Sequence, residues 1–147
     1  AFLLNLGLET LPVRMPQYCK NAETVARHLL QSDKIDRVIY PTLEGDPCHA
    51  LAQKYLPLGC SGVMSINISA GREAAMLFMD SLQLASNEVH VADIRTCVLH
   101  PASETHRQLT DEQLAAAGIE PGLVRLSVGL ENVEDIIADL DQALSKI

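Results

Sequence analysis

A chain of 147 residues, 48% of them apolar, is about one domain's worth with enough material for a core, which excludes a disordered tract. Eleven basic residues against nineteen acidic ones leave a net charge of −8, and no basic stripe is present to meet a phosphate backbone. With no Trp and only two Phe and three Tyr, there is no stacking platform for single strands either, so nucleic acid is not an expected partner.

The chain opens Ala1-Phe2-Leu3-Leu4-Asn5-Leu6, apolar from the first residue. Native starts are more often polar and loosely held, so residues 1–6 read as the end of an interdomain helix and the whole chain as a piece of a longer protein. Leu11, Met15, Tyr18, Ala22, Val25 and Leu29 recur at spacings of four and three, one face of a long amphipathic helix. Thr10 is placed to cap it, Pro12 suits its first turn, and Pro16 is expected to kink it or mark its start. Arg37-Val38-Ile39-Tyr40 reads as a short strand stopped by Pro41, and 47–55 as a short helix ended before Pro57. Met64, Ile66 and Ile68 alternate with Ser65 and Asn67, the period of a half-buried strand. Gly71 leads into a helical stripe of Ala74, Leu77, Phe78 and Leu82. Ile94 to Leu99 is β-prone and ends before Pro101. Asp111 to Ala117 is a short helix closed by Gly118, and Leu123 to Val128 is a strand. Asn132 is expected to cap a final helix with Val133, Ile136, Leu140 and Leu144 on one side. The acids Glu131, Glu134, Asp135, Asp139 and Asp141, at or near that helix's start, read as a solvated face favoured by the helix dipole.

Helices alternating with four strands, two of them half-buried, predict an α+β fold: a small four-stranded, mainly antiparallel sheet with helices packed on one face. No linker or repeat divides the chain, so 1–147 is expected to be a single domain. The longest uncharged run is broken by Pro57, Gly59 and Gly62, which leaves no membrane span. Cys19, Cys48, Cys60 and Cys97 lie far apart with no C-x-x-C pair, the pattern of reduced, buried thiols in a cytoplasmic protein without a basic-then-apolar leader.

Few residues carry chemistry. Arg125 shares one strand face with Ser127, while Val124, Leu126 and Val128 share the other. A mid-strand Arg among aliphatics needs an anion. It is either a fork for a substrate carboxylate or the partner of one of the nineteen acids, and the residues alone leave both open. Cys97, His100 and His106 lack the second close pair of a zinc site, so no metal is expected. Ser103 and Thr105 stand beside two His, but no G-x-S-x-G elbow accompanies them. His28 and His49 fall on predicted helices as packed or surface residues. Neither a P-loop nor a G-x-G-x-x-G occurs.

Taken in order, Gly7-Leu8-Glu9-Thr10-Leu11-Pro12, Asn21-Ala22, Tyr40-Pro41, His100-Pro101-Ala102-Ser103-Glu104-Thr105-His106 and the run Gly122 to Glu131 resemble the C-terminal domain of the trans-sulfuration enzymes of cysteine and methionine metabolism, which depend on pyridoxal phosphate. His90-Val91-Ala92-Asp93 is closer to the N-V-G-D of O-acetylhomoserine sulfhydrylases than to the S-L-G-G of cystathionine synthases and lyases. The resemblance implies that Arg125 grips the α-carboxylate of the amino-acid substrate, that Thr105 lies near that carboxylate, and that Val91 offers it a backbone amide. It also puts His90 where the family has Ser or Asn, and Glu104 where it has Thr or Met. It further implies a homotetrameric parent enzyme making homocysteine from O-acetylhomoserine and sulfide, with this chain docked on a large cofactor-binding domain. The S-x-T-K-type lysine motif of that domain is absent here, so the fragment alone is expected neither to bind the cofactor nor to catalyse. The competing expectations are a stand-alone amino-acid-binding or oligomerisation module, and a cystathionine synthase or lyase domain.

Overall fold

In this computed structural model, which describes residues 1–147, the chain runs α1 (Phe2–Glu9), α2 (Leu11–Leu29), β1 (Ile35–Ile39), α3 (His49–Tyr55), β2 (Val63–Ile68), α4 (Arg72–Ser81), β3 (Ser86–Asn87), β4 (Cys97–Leu99), α5 (Asp111–Ala116), β5 (Leu123–Ser127) and α6 (Val133–Leu144). The strands form one five-stranded sheet in the order β1-β2-β5-β4-β3. Three of its pairings are antiparallel, and β3 runs parallel to β4. The sheet is therefore mixed and five-stranded, not the four-stranded antiparallel sheet expected. The extra strand is two polar residues long and has no periodicity to read. It is defined by Ser86 N–H donating to the Thr96 carbonyl and Glu88 N–H to that of Val98, both at 3.0 Å.

Period-two alternation places the core. Met64, Ile66 and Ile68 of β2 and Val124 and Leu126 of β5 point to one face, with Ile66 opposite Val124 and Met64 opposite Leu126. Against that face lie Ala22, Val25 and Leu29 of α2, Phe78 of α4, and Ile136 and Leu140 of α6, in one buried cluster. The three long helices thus cover a single face of the sheet, as the alternation implied. His28 Nε2 meets Asp141 Oδ1 at 2.8 Å and ties α2 to α6 along its outer edge. The helix α2 runs through Pro16 without ending, while α1 buries none of its residues. No helix is long and apolar enough to cross a membrane.

Several local expectations are corrected by hydrogen bonding. Neither Thr10 nor Asn132 caps through its side chain. The Thr10 hydroxyl instead accepts from Arg14 Nε at 3.1 Å. The genuine capping box is Thr110 with Gln113, two orphan donors satisfied reciprocally. The segment from Ile94 does not enter the sheet until Cys97. Before it, Arg95 N–H donates to the Asp93 carboxylate (3.0 Å) and Thr96 N–H to that of Glu131 (2.6 Å), which takes both amides out of the ladder. Two of the acids read as solvated are not. Asp139 is buried and accepts the N–H groups of Gln83, Leu84 and Ala85 at 2.8–2.9 Å. Glu131 also accepts the Thr96 hydroxyl at 2.9 Å, and Asn21 donates to the carbonyls of Gly129 and Glu131, each at 3.0 Å. This knot fixes the end of β5 against the start of β4, and any Cβ at Gly129 would overlap the Glu131 carboxylate and the Ile94 carbonyl oxygen.

Candidate functional site

The face of the sheet away from the three long helices carries Ser65, Arg125 and Ser127. Arg125 sits on the central strand, opposite Ser65 of β2 and Leu99 of β4. Its half-buried side chain reaches the segment joining β3 to β4. Nη2 donates to the carbonyl of Val89 at 2.8 Å and to that of His90 at 3.1 Å. No carboxylate lies within ion-pair distance of Arg125; every ion pair of the chain involves other cations. Nε is buried with no acceptor, and Nη1 forms no hydrogen bond to the chain. Two neutral carbonyls orient the guanidinium without cancelling its charge. A half-buried cation with donors to spare is an anion-binding group by its chemistry.

The acids nearby are engaged with other partners. His90 Nδ1 lies 2.7 Å from Glu88 Oε2 and 3.6 Å from Asp93 Oδ2. Arg95 lies 3.9 Å from Glu88 and 3.7 Å from Asp93. The Arg95 backbone N–H, aided by the charges of Arg95 and His90, holds the Asp93 carboxyl below its usual range. Ala92 adopts a left-handed φ of 59° and donates its N–H to Ser127 Oγ at 3.0 Å. The N–H groups of Val89, His90 and Val91 make no hydrogen bond within the chain.

The structure therefore joins Arg125 with His90 through the His90 carbonyl; Val91 follows on the same loop without a hydrogen bond to Arg125. It does not join Thr105 to them by any hydrogen bond. Thr105 is exposed on the turn after β4, and its hydroxyl pairs with His106 Nδ1 at 2.9 Å. The other chemistry-bearing residues disperse. His100 is buried and donates Nε2–H to the Pro121 carbonyl at 2.8 Å. The Ser103 hydroxyl lies 3.6 Å from Met76 Sδ, and the buried Cys97 thiol faces the Arg95 carbonyl. No three His, Cys, Asp or Glu residues gather as metal ligands. A cleft of about 680 Å³ between α2 and the 42–59 segment is lined by Cys19, Lys20, Glu23 and His49 among others and by none of the four expected site residues. Its size does not outweigh the unneutralised cation on the other face. The carbonyl clasp and the Ser127 tie were missed from sequence. Ser127 was visible as the second polar residue on Arg125's face, but which backbone atoms meet that face is a property of the loop's path.

Known proteins are similar to this chain over most of its length. It is 46% identical to L-methionine gamma-lyase of Fusobacterium nucleatum subsp. polymorphum over 147 residues, all of this chain and 37% of that protein. It is 45% identical to O-acetyl-L-homoserine sulfhydrylase of Leptospira meyeri over 142 residues, 96% of this chain and 32% of that one. A crystal structure from Campylobacter jejuni subsp. jejuni, described as an O-acetylhomoserine (thiol)-lyase with N'-pyridoxyl-lysine-5'-monophosphate, superposes with a TM-score of 0.91 at 42% identity. That superposition covers 97% of this chain and 34% of the other. The chain thus spans about a third of the length of these relatives. The family profile matches residues 1–145 in one stretch, as the enzyme family itself and not as a separate C-terminal domain, which corrects the narrower expectation. The chain belongs to the family of Cys/Met metabolism PLP-dependent enzymes.

Proposed function

We propose that this chain supplies the substrate-carboxylate grip of an enzyme that replaces the acetate of O-acetylhomoserine with sulfide, forming homocysteine. The observation that carries this is Arg125: half-buried, oriented by two carbonyls, and without any acid partner. A carboxylate arriving there meets a cation already desolvated on one side, and holding it fixes the substrate's Cα–H bond in space. The unpaired Val91 N–H is a further donor on the same loop, and His90 places an imidazole beside it, steadied by Glu88. Thr105 belongs to this proposal on the resemblance of its motif alone.

Pyridoxal phosphate, when bound, supplies the electron sink for chemistry at the substrate's α-carbon. The residues around Arg125 fit the substrate and not that group: one guanidinium, carbonyls and paired acids, with no lysine amine among them. We therefore assign cofactor binding to other parts of the enzyme, with the isolated chain inactive. The proposal also carries a cytoplasmic homotetramer in which this chain packs on the cofactor-binding domain.

In the full-length enzyme, Arg125→Gln is expected to lower kcat/KM for O-acetylhomoserine about 10- to 100-fold, the worth of a charge-assisted hydrogen-bonded contact. An unchanged kcat/KM overturns the assignment. A second activity, release of methanethiol from L-methionine, is favoured by the 46% identity to a methionine gamma-lyase. Assaying homocysteine formation from O-acetylhomoserine and sulfide beside methanethiol release from L-methionine decides between the two.

A further inference from the structure

We propose that Ser127 is a positioning residue for Arg125: by holding Ala92 it sets the two carbonyls that aim the guanidinium. This deepens the carboxylate-binding reading and rests on it. Three hydrogen bonds staple the 89–92 loop to β5. Two come from Arg125 Nη2, to the Val89 and His90 carbonyls, and the third joins Ala92 N–H to Ser127 Oγ. They differ in stiffness. The guanidinium rides on a long flexible stem and can follow the loop if it moves. Ser127 is buried, has one side-chain rotor and stands two residues along the same strand face, so it cannot follow.

The loop's own geometry requires such a tie. Ala92 holds a left-handed conformation, at φ 59°, that residues with a Cβ avoid. Outside 89–92 the segment is anchored on both sides. Glu88 N–H is bonded to the Val98 carbonyl, Leu130 N–H donates to the Ile94 carbonyl at 2.8 Å, and Thr96 is bonded to Glu131. Between those ends, the N–H groups of Val89, His90 and Val91 have no partner in the chain. Ser127 is thus the one side chain of β5, besides Arg125 itself, that restrains the carbonyls. Ser65, across from Arg125 in register, makes no side-chain hydrogen bond to the loop. Without the Ser127 tie, both carbonyls can swing with the loop, and Nη1 loses its fixed presentation to a carboxylate.

The test is a double-mutant cycle in the full-length enzyme, with Ser127→Ala, Arg125→Gln and the pair. Ser127→Ala is expected to raise KM for O-acetylhomoserine about three- to tenfold, the worth of one neutral hydrogen bond, with kcat and the KM for sulfide within about twofold. In the Arg125→Gln background the same change is expected to add nothing to KM for O-acetylhomoserine. Ser127→Cys keeps the buried volume while weakening the acceptor. It gives the same KM shift and is the variant read if Ser127→Ala does not fold. The inference is overturned if the folded variant leaves KM for O-acetylhomoserine unchanged, or if the shift persists in full when Arg125 is already Gln. Should Arg125→Gln itself leave KM unchanged, the carboxylate reading fails first, and the two failures are told apart.

Discussion

The two faces of β5 divide labour at every second residue. Val124 and Leu126 are fully buried against α2, α4 and α6, and Val128 continues the row. Arg125 and Ser127, between them, make their side-chain hydrogen bonds to the 89–92 loop. One strand thus sets a polar instrument on a rigid mount, and the spacing between the two functions is a single residue. The difference implies that core packing and the polar contacts to the 89–92 loop can be perturbed separately in the same five residues, provided the substitutions respect the alternation.

Three measurements push on this division. The largest effect belongs to the apolar face: Leu126→Ala should destabilise the protein by about 2–5 kcal/mol in denaturant titration, because a close-packed core collapses only partly around the cavity. A loss under about 1 kcal/mol would mean that the helices do not lean on this strand as described. On the polar face, Arg125→Gln should shift unfolding free energy by less than about 1 kcal/mol, since it uncovers two carbonyls on exposed residues that water can satisfy. A large loss there would erase the contrast between the faces. The smallest effect is acid-linked. Asp93 is held below its ordinary carboxyl value of 3.8, so its contribution to the loop is complete above that value and is lost as pH falls through the lowered one. Asp93→Asn should therefore lower the melting temperature slightly, by an amount that is constant from about pH 5 upward, and make the acid-side decline shallower so that the two proteins converge in acid. A difference between wild type and variant that grows above pH 5 would contradict this sign.

What the residues disclosed in advance divides along the same line. Most elements built on periodicity were legible: the α2 stripe from Leu11 to Leu29, the alternation in Met64–Ile68, the alternation around Arg125, and the apolar side of α6; in α4 the buried side is Ala75, Phe78 and Met79, and Leu77 of the expected stripe is exposed. Elements built on single hydrogen bonds were not. The strand Ser86–Asn87 has no pattern, and the late start of β4 depends on Asp93 and Glu131 capturing two amides. The acids Glu131 and Asp139 looked like a helix-start cluster because sequence shows charge and spacing but not which backbone N–H groups converge on a carboxylate. The site was half legible. Arg125 stood out because a cation among aliphatics is costly to bury, and the motif resemblance added His90, Val91 and Thr105. The clasp on Arg125 depends on a left-handed Ala92, a conformation for which Gly or Asn would have been the expected signal.

The carboxylate of Asp139 organises a turn that has little of its own to hold it. Gln83, Leu84 and Ala85 follow α4 and hand their amides to a side chain more than fifty positions further along the chain. During synthesis that turn has to wait, unformed, until the last helix arrives and docks. The passage from α4 into the strand beside β4 is therefore expected among the late steps of assembly, with the ribbon leading toward the 89–92 loop taking shape once the far end of the chain is in place.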